Sequence, residues 1–323
     1  MPLVSRSTYR PPPGLGNGHA QTILPALLRR VPVITDRAER LELPDGDFLD
    51  LHWHVTPGRR RVAILSHGLE GEFRNPYIQG MARALVRAGW DVVAWNCRGC
   101  GAEPNRLLRS YHSGATEDLA AVIDHALATG RYESVALVGF SLGGNITLKY
   151  LGDLGPSVDP RVRRAVAFSV PCDLAASSAR LESRANRLYM DRLLVGLRQK
   201  IRAKIARFPG QLRDAGLDAM RTFREFDGAY TAPLHGYRDA EDYWARASSR
   251  PVLPRIAIPT LLVSARNDPF LPAECFPEPE ARASAHFHLE IPASGGHLGF
   301  LTFGRGGEYW SERRAGEFLA GEK

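Results

Sequence analysis

From residue 62 onward, short and mostly apolar runs alternate with stretches that carry apolar residues at helical spacing. The runs span residues 62–65, 92–95, 135–138, 165–170, 261–263 and 287–291. Runs without polar alternation are typical of strands that are covered on both faces, as in a parallel sheet. Alternation of such strands with helices predicts right-handed crossovers and an α/β fold built on a mostly parallel, doubly wound sheet.

Local signals mark some of the intervening elements. Asn75 and Pro76 begin a helical stripe that ends at Gly89, and a second stripe follows Thr116. Upstream of residue 62, residues 49–55 alternate apolar and polar after a turn at 44–47, which predicts a half-buried strand preceded by a turn.

The alternation of strands and helices stops between residues 173 and 250, where the composition is helical and rich in arginine. An insertion that leaves a sheet after one strand and returns at the next commonly covers the strand ends, where such sheets bind ligands. We therefore expect an N-terminal arm over 1–37, a core over 38–172 and 251–323, and a helical lid over 173–250.

The net charge of +7 is local. Residues 180–213 contain ten Lys or Arg and two acidic residues, so this segment accounts for the whole excess. No aromatic RNA-binding motif, zinc-finger spacing or helix-turn-helix signature accompanies it, and we expect no nucleic-acid partner. A solvated helix face explains this charge at least as well as a binding surface does. Peripheral contact of the basic lid with an anionic membrane is also compatible with it.

The first 22 residues have no apolar core before a small-residue cleavage site, and no stretch is long enough to span a bilayer. We therefore expect a cytoplasmic protein. The short apolar stretch 23–28, interrupted by Pro25, could rest on a membrane, but it is expected to pack against the core. Four cysteines in 323 residues do not form a disulfide framework.

The sharpest chemical signal is Gly139-Phe140-Ser141-Leu142-Gly143, placed after a predicted strand and before a predicted helix. A nucleophile on so tight a turn needs small residues on both sides, and the helix start offers a backbone N–H to an oxyanion. The strand before it and the helix after it favour a nucleophile elbow with Ser141 as the nucleophile.

A serine hydroxyl needs a base, and the base needs an orienting carboxylate. Asp268 lies in the loop after run 261–263, and His297 follows run 287–291 behind two glycines. The order Ser, acid, His matches the order found with nucleophile elbows. Asp268 and His297 are the predicted partners, and Glu274 is the alternative acid.

An oxyanion hole needs a second N–H beside that of Leu142. His67-Gly68-Leu69 follows the first core strand, and we assign Leu69 and Leu142 as backbone donors. His67 is then expected to hydrogen-bond the loop rather than act as a base.

Other candidate groups carry weaker signals. His52 and His54 share a strand face without a third metal ligand and are expected to face solvent at a strand edge. Cys97 and Cys100 form one isolated C-x-x-C, which supports neither a redox nor a zinc site. His112 is expected to pack beneath the site. No phosphate-binding or dinucleotide fingerprint is present, so no cofactor and no metal is expected.

Several motifs together resemble the YheT-like branch of the α/β-hydrolase superfamily. They are Gly18-His19-Ala20-Gln21-Thr22, His67-Gly68-Leu69-Glu70-Gly71, Asn96-Cys97-Arg98-Gly99-Cys100, Tyr111-His112-Ser113-Gly114, Gly139–Gly144, Glu225-Phe226-Asp227 and Asn267-Asp268-Pro269. The resemblance covers about residues 15–320 and implies an α/β-hydrolase fold with an inserted lid. It also implies a serine hydrolase of carboxylic esters, with relatives acting on acylglycerols, phospholipids or short-chain ethyl esters.

The sequence therefore predicts an ester hydrolase that acts on short- to medium-chain acyl esters or acylglycerols through an acyl-enzyme on Ser141. Two alternatives stay open: an acyltransferase that uses the same three residues with an alcohol acceptor, and a binding protein without turnover on a hydrolase fold. A peptidase is disfavoured only by the resemblance.

Overall fold

A computed structural model of the chain describes residues 3, 4, 6–303 and 305–321. The strands are β1 (Arg37–Glu42), β2 (Phe48–His54), β3 (Arg61–Ser66), β4 (Asp91–Asn96), β5 (Ser134–Phe140), β6 (Val162–Phe168), β7 (Thr260–Val263) and β8 (Phe287–Glu290). They form a sheet in the order β1-β2-β4-β3-β5-β6-β7-β8. β2 runs antiparallel to both of its neighbours, and the pairs from β4 to β8 are parallel. The predicted mostly parallel sheet is confirmed.

The sheet forms because each central strand buries both faces. Along β3, Val62 and Ile64 belong to one apolar cluster, whereas Ala63 and Leu65 belong to the cluster on the opposite face. Successive side chains of a strand point to opposite sides, so a run without polar residues suits only a sheet packed on both faces.

The helices are α1 (Gly18–Leu28), α2 (Pro76–Arg87), α3 (Thr116–Ala128), α4 (Leu142–Leu154), α5 (Leu174–Leu181), α6 (Arg187–Arg207), α7 (Phe223–Phe226), α8 (Ala232–Leu234), α9 (Ala240–Ala247), α10 (Glu278–Ala283) and α11 (Trp310–Ala320). The helix predicted after Asn75 is α2, which starts at Pro76. Asn75 does not cap it; its side-chain oxygen instead accepts the Glu72 N–H.

Residues 173–250, here called the covering segment, contain α5 to α9. Its apolar side chains form a cluster of their own around Leu194, Phe226 and Tyr230. The segment leaves the sheet after β6 and returns before β7, which places it beside the carboxyl ends of the strands.

The structure corrects two expectations about surface residues. His52 does not face solvent at a strand edge: β2 lies second in the sheet, and the His52 ring stacks on Phe73 with 3.3 Å between centroids. Burial lowers the pKa of His52 to about 4. The stretch 23–28 is helical through Pro25, and Ile23, Leu27 and Leu28 are exposed rather than packed against the core.

Among the described residues, no helix has both the length and the apolar content needed to cross a bilayer.

Candidate active site

Ser141 lies in the turn between β5 and α4 with φ of +51°, a left-handed conformation that is rare for a residue with a side chain. Two glycines make this turn possible. A Cβ on Gly139 would lie 2.5 Å from the Gly143 carbonyl oxygen, and one on Gly143 would lie 2.3 Å from that of Ser66. The Ser141 N–H donates to the carbonyl of Phe168 on β6 at 2.9 Å. The turn is thus fixed from both sides.

The structure brings His297 and Asp268 to this serine. His297 Nε2 lies 3.0 Å from Ser141 Oγ, and Nδ1 lies 2.9 Å and 3.2 Å from the two Asp268 oxygens. The Asp268 side chain is fully buried, and Phe270 stacks on the imidazole with 4.1 Å between centroids. Because a carboxylate only accepts, the Nδ1–H points at Asp268 and Nε2 is left to accept the Ser141 proton.

Hydrogen bonds hold the loop after β3 and, among the described residues, leave one of its backbone N–H groups without an acceptor. The Gly68 N–H donates to the Tyr77 hydroxyl at 3.0 Å, and the Glu70 N–H donates to the Tyr111 hydroxyl at 2.9 Å. In the described residues, no hydrogen bond engages the Leu69 N–H between them.

The second predicted donor is at the start of α4. Leu142 is the first residue of this helix, so its N–H has no acceptor one turn earlier. Leu69 and Leu142 both border the cavity that contains Ser141. Their N–H groups are therefore available to a developing oxyanion.

His67 stabilises this loop as expected. Its Nδ1 lies 2.7 Å from the Gly68 carbonyl oxygen and its Nε2 accepts the Cys97 N–H at 3.0 Å. Burial lowers the pKa of His67 to about 4. A neutral ring with Nδ1 protonated satisfies both contacts, and neither nitrogen is left for a substrate.

A cavity of about 230 Å³ opens above Ser141. Core loops contribute Leu69, Leu142, Phe270 and Leu298 to its wall, and the covering segment contributes Leu174, Leu181, Leu193, Leu197, Phe223, Phe226 and Trp244. The wall is mostly apolar, which suits an apolar ligand rather than a charged one.

One carboxyl group interrupts this apolar wall. Asp227, from the covering segment, accepts hydrogen bonds from the Thr231 hydroxyl at 2.6 Å and from the Trp244 indole N–H at 2.8 Å. Burial raises the pKa of Asp227 to about 6. The two contacts join the turn after α7 to α9, so Asp227 has a structural task inside the cavity wall.

His112 also borders the cavity, but within the described residues no hydrogen bond joins it to Ser141. Its Nδ1 accepts the Gly114 N–H at 3.1 Å, and its ring lies 4.4 Å from that of His235. Burial, with a smaller contribution from His235, holds the pKa of His112 well below its ordinary value. His112 packs beside the site, as the sequence predicts.

The start of α1 holds the loop of His297 in place, a role that no pattern in the sequence predicts. The His297 N–H donates to Thr22 Oγ1 at 2.9 Å. A Cβ on Gly18 would lie 2.0 Å from the Asn267 carbonyl oxygen, so α1 also meets the loop that carries Asp268. The motif at 18–22 was visible in the sequence, but nothing in it indicates which loop it contacts.

Other candidates stay outside the site. Glu274 is exposed in a short 3₁₀ turn, and Asp268 takes the place next to His297. Cys97 and Cys100 are free thiols, and Cys100 Sγ lies 3.1 Å from Lys200 Nζ. Within the described ranges, no three His, Cys, Asp or Glu side chains are grouped to hold a metal ion.

Comparison with known proteins gives consistent matches. A family model described as the alpha/beta hydrolase fold matches residues 63–303. The Escherichia coli (strain K12) protein named "Putative esterase YheT" is 39% identical over 98% of this chain and 94% of its own length. The Mus musculus protein named "Phospholipase ABHD3" is 30% identical over 93% of this chain and 74% of its own length.

Among solved structures, the Pyrococcus furiosus esterase Pf2001 superposes with a TM-score of 0.60. The superposition covers 88% of this chain and 89% of that one at 17% sequence identity. At this level of identity the similarity concerns the fold.

Proposed function

The chain belongs to the α/β-hydrolase family, in its YheT-like branch, and on this premise we propose that it is a serine esterase that cleaves carboxylic esters through an acyl-enzyme on Ser141. One observation carries the proposal: contacts run from Ser141 Oγ through His297 to the buried Asp268, next to an apolar cavity. This arrangement supplies a nucleophile, its base and the group that orients the base.

In the first step, Ser141 Oγ attacks the ester carbonyl while His297 Nε2 takes the hydroxyl proton. A bond forms between Oγ and the carbonyl carbon, and negative charge develops on the carbonyl oxygen. The N–H groups of Leu69 and Leu142 stabilise that charge, and Asp268 stabilises the imidazolium. The C–O bond to the alcohol then breaks, and His297 returns the proton to the departing oxygen.

In the second step, water replaces the alcohol. His297 removes a proton from the water, whose oxygen attacks the acyl carbon, and the bond to Ser141 Oγ breaks. The acid leaves and Ser141 recovers its proton. An alcohol in place of water would produce a new ester, and the ratio of acid to ester formed in the presence of glycerol measures this choice.

The substrate class that fits is an ester with an apolar acyl chain of short to medium length, including acylglycerols. The support is the aliphatic and aromatic lining of the cavity, because apolar surface binds apolar chains in proportion to the area removed from water. The phospholipase name of the mouse relative also favours acyl lipids.

A fluorophosphonate probe tests the nucleophile. The probe is expected to label the native protein and to leave Ser141→Ala unlabelled. Ser113→Ala is the matched control, since Ser113 borders the same cavity and, in the described residues, forms no hydrogen bond with His297. Absence of labelling of the native protein, or equal labelling of Ser141→Ala, would overturn the proposal.

A series of p-nitrophenyl esters with acyl chains from about two to about sixteen carbons tests the substrate class. We expect kcat/KM to rise as methylenes enter the cavity, by up to about fourfold per buried CH₂, and to fall once the chain exceeds it. A rate that is independent of chain length would contradict the proposed acyl pocket.

A further inference from the structure

Large apolar side chains are exposed at two places that the sequence separates. On α1, Ile23, Leu27 and Leu28 are 40%, 50% and 69% exposed, and on α6, Leu188 and Val195 are 82% and 50% exposed. Single exposed apolar residues are normal on a protein surface, but a contiguous group of them marks an interaction site.

The two places are neighbours. His19 of α1 lies 3.0 Å through Nδ1 from the Tyr189 hydroxyl of α6, and the two rings stack. Ile23 lies one helical turn beyond His19, and Leu188 precedes Tyr189 in the chain. We call the five residues Ile23, Leu27, Leu28, Leu188 and Val195 the apolar ridge.

The ridge follows the geometry of a helix face. On α6, Leu188 and Val195 are seven residues apart and therefore lie on the same side, about 10 Å from one another. Arg192, also exposed, lies on that side between them. The outer side of this helix therefore presents two exposed apolar residues with an arginine between them.

The charge around the ridge is positive. Residues 11–35 contain no acidic residue, and the exposed Arg30 lies two positions after Leu28. On α6 beyond Val195, Lys200 pairs with Glu70 and Lys204 donates to Asn105, whereas Arg202 and Arg207 are exposed. Near the ridge, Arg184, Arg187 and Arg192 are exposed. Arg187 lies 3.8 Å from Asp191, the one acidic residue of α6, so positive charges outnumber negative ones on this part of the helix.

From these observations we infer that the apolar ridge is a docking surface for an anionic lipid bilayer. Leucine and isoleucine side chains enter the boundary between headgroups and acyl chains, while the arginines contact the anionic headgroups. Neither element spans the bilayer; both lie on it. The combination of protruding aliphatic groups and a positive rim matches an anionic lipid surface.

The position of the ridge relates it to the active site. Thr22 of α1 holds the loop of His297, and Leu193 and Leu197 of α6 line the cavity. Docking through the ridge brings the cavity close to the bilayer. The inference does not rest on the proposed ester hydrolysis, because lipid binding needs no catalytic step.

Sedimentation with vesicles tests the surface. The full-length protein is mixed with phosphatidylcholine vesicles that contain roughly one third phosphatidylglycerol, or none. We expect binding to the anionic vesicles, at least tenfold weaker binding to the neutral ones, and loss of binding at about 1 M salt, where the Debye length is about 3 Å. Leu28→Glu and Leu188→Glu are each expected to weaken binding by about tenfold or more.

Matched variants separate the ridge from general effects. Leu154→Glu places the same charge on an exposed leucine at the end of α4, and Arg163→Glu reverses an exposed charge at the start of β6. Both are expected to bind vesicles like the native protein, and so is Ser141→Ala. Circular dichroism of each variant reports its folding.

Three results would overturn the inference. The first is equal binding to neutral and anionic vesicles. The second is unchanged binding of Leu28→Glu and Leu188→Glu when both are folded. The third is self-association through the ridge, seen in analytical ultracentrifugation as a native dimer that Leu188→Glu dissociates. Failure of Ser141→Ala to lose esterase activity would instead contradict the proposed function and leave vesicle binding unaffected.

Discussion

Lys200 of α6 donates to the carboxylate of Glu70 at 2.7 Å, which ties the covering segment to the loop after β3. Glu70 directly follows Leu69 and has φ of +55°, a left-handed conformation. The Tyr111 hydroxyl donates to the same carboxylate at 2.6 Å. Two contacts therefore fix the residue next to a proposed oxyanion donor, and one of them comes from the covering segment.

Lys200→Met is expected to lower kcat by about tenfold with a smaller change in KM. A hydrogen bond between charged groups contributes about 1.5–3 kcal/mol, and its loss leaves Glu70 with the Tyr111 contact alone. Lys200→Arg keeps the charge and should restore part of the rate. Steady-state kinetics with a soluble p-nitrophenyl ester checks both variants. Lys149→Met, which removes an ion pair with Asp153 on α4, is the control, and native kcat in Lys200→Met would contradict the expectation.

Thr22 is expected to position His297 through the main chain. Thr22→Val removes the hydroxyl that accepts the His297 N–H at 2.9 Å, so the loop loses a hydrogen bond of about 1 kcal/mol. We expect a fivefold to tenfold decrease in kcat, on the order of that energy, and recovery in Thr22→Ser. Thr129→Val removes a hydroxyl on a distant turn and should keep the native rate. A Thr22→Ser protein as slow as Thr22→Val would argue against the role.

The sequence predicts the sheet well because the strands that form it are buried on both faces. The runs 62–65, 92–95 and 135–138 match β3, β4 and β5 with one or two residues to spare at the ends. The start of β6 at Val162 was missed because Arg163 and Arg164 interrupt its apolar run. The end of a strand that extends beyond the packed part of a sheet carries polar residues, so a search for apolar runs does not detect that end.

The site residues divide in the same way. The sequence predicts that Ser141, Asp268 and His297 meet because each follows a strand at the same edge of the sheet, and the structure brings the three side chains together. Thr22 and Tyr111 stand in motifs visible in the sequence and Tyr77 does not, but for none of the three does the sequence predict the contact that it makes. They act on loops remote in sequence, so their contacts depend on packing between elements that no local pattern encodes.

Asp227 gives the protein a component of stability that decreases as pH rises. Burial raises its pKa from an ordinary value near 3.8 to about 6, so the folded protein binds this proton more tightly than the unfolded chain. That stabilisation is complete below about pH 4 and is lost as pH rises through about 6, by up to about 3 kcal/mol for a shift of this size.

Asp227→Asn removes the titration. Urea denaturation from about pH 4 to about pH 7 gives the free energy of unfolding of the native protein and of the variant. As pH rises, we expect the native protein to lose stability relative to the variant. Asp218→Asn, an exposed carboxyl of the covering segment, is the control. If the stability difference between the native protein and Asp227→Asn does not change with pH, burial does not disfavour the charged form of Asp227 and the expectation is wrong.

Gly196→Ala tests the contact between α6 and Glu70 by adding a methyl group rather than by removing a side chain. In the middle of a helix, Gly→Ala ordinarily stabilises by about 0.5–1 kcal/mol. A Cβ on Gly196, however, would lie 2.3 Å from Glu70 Oε2, and Tyr111 and Lys200 hold that carboxylate in place. We therefore expect Gly196→Ala to gain less stability than the helix preference predicts and to lower kcat several-fold.

Gly316→Ala on α11 is the control, because the added methyl group meets open space there. This variant should gain the full stabilisation and keep the native kcat. Thermal unfolding and ester kinetics on both variants decide the matter, since a fully stabilised and fully active Gly196→Ala would mean that the position of Glu70 does not affect the reaction.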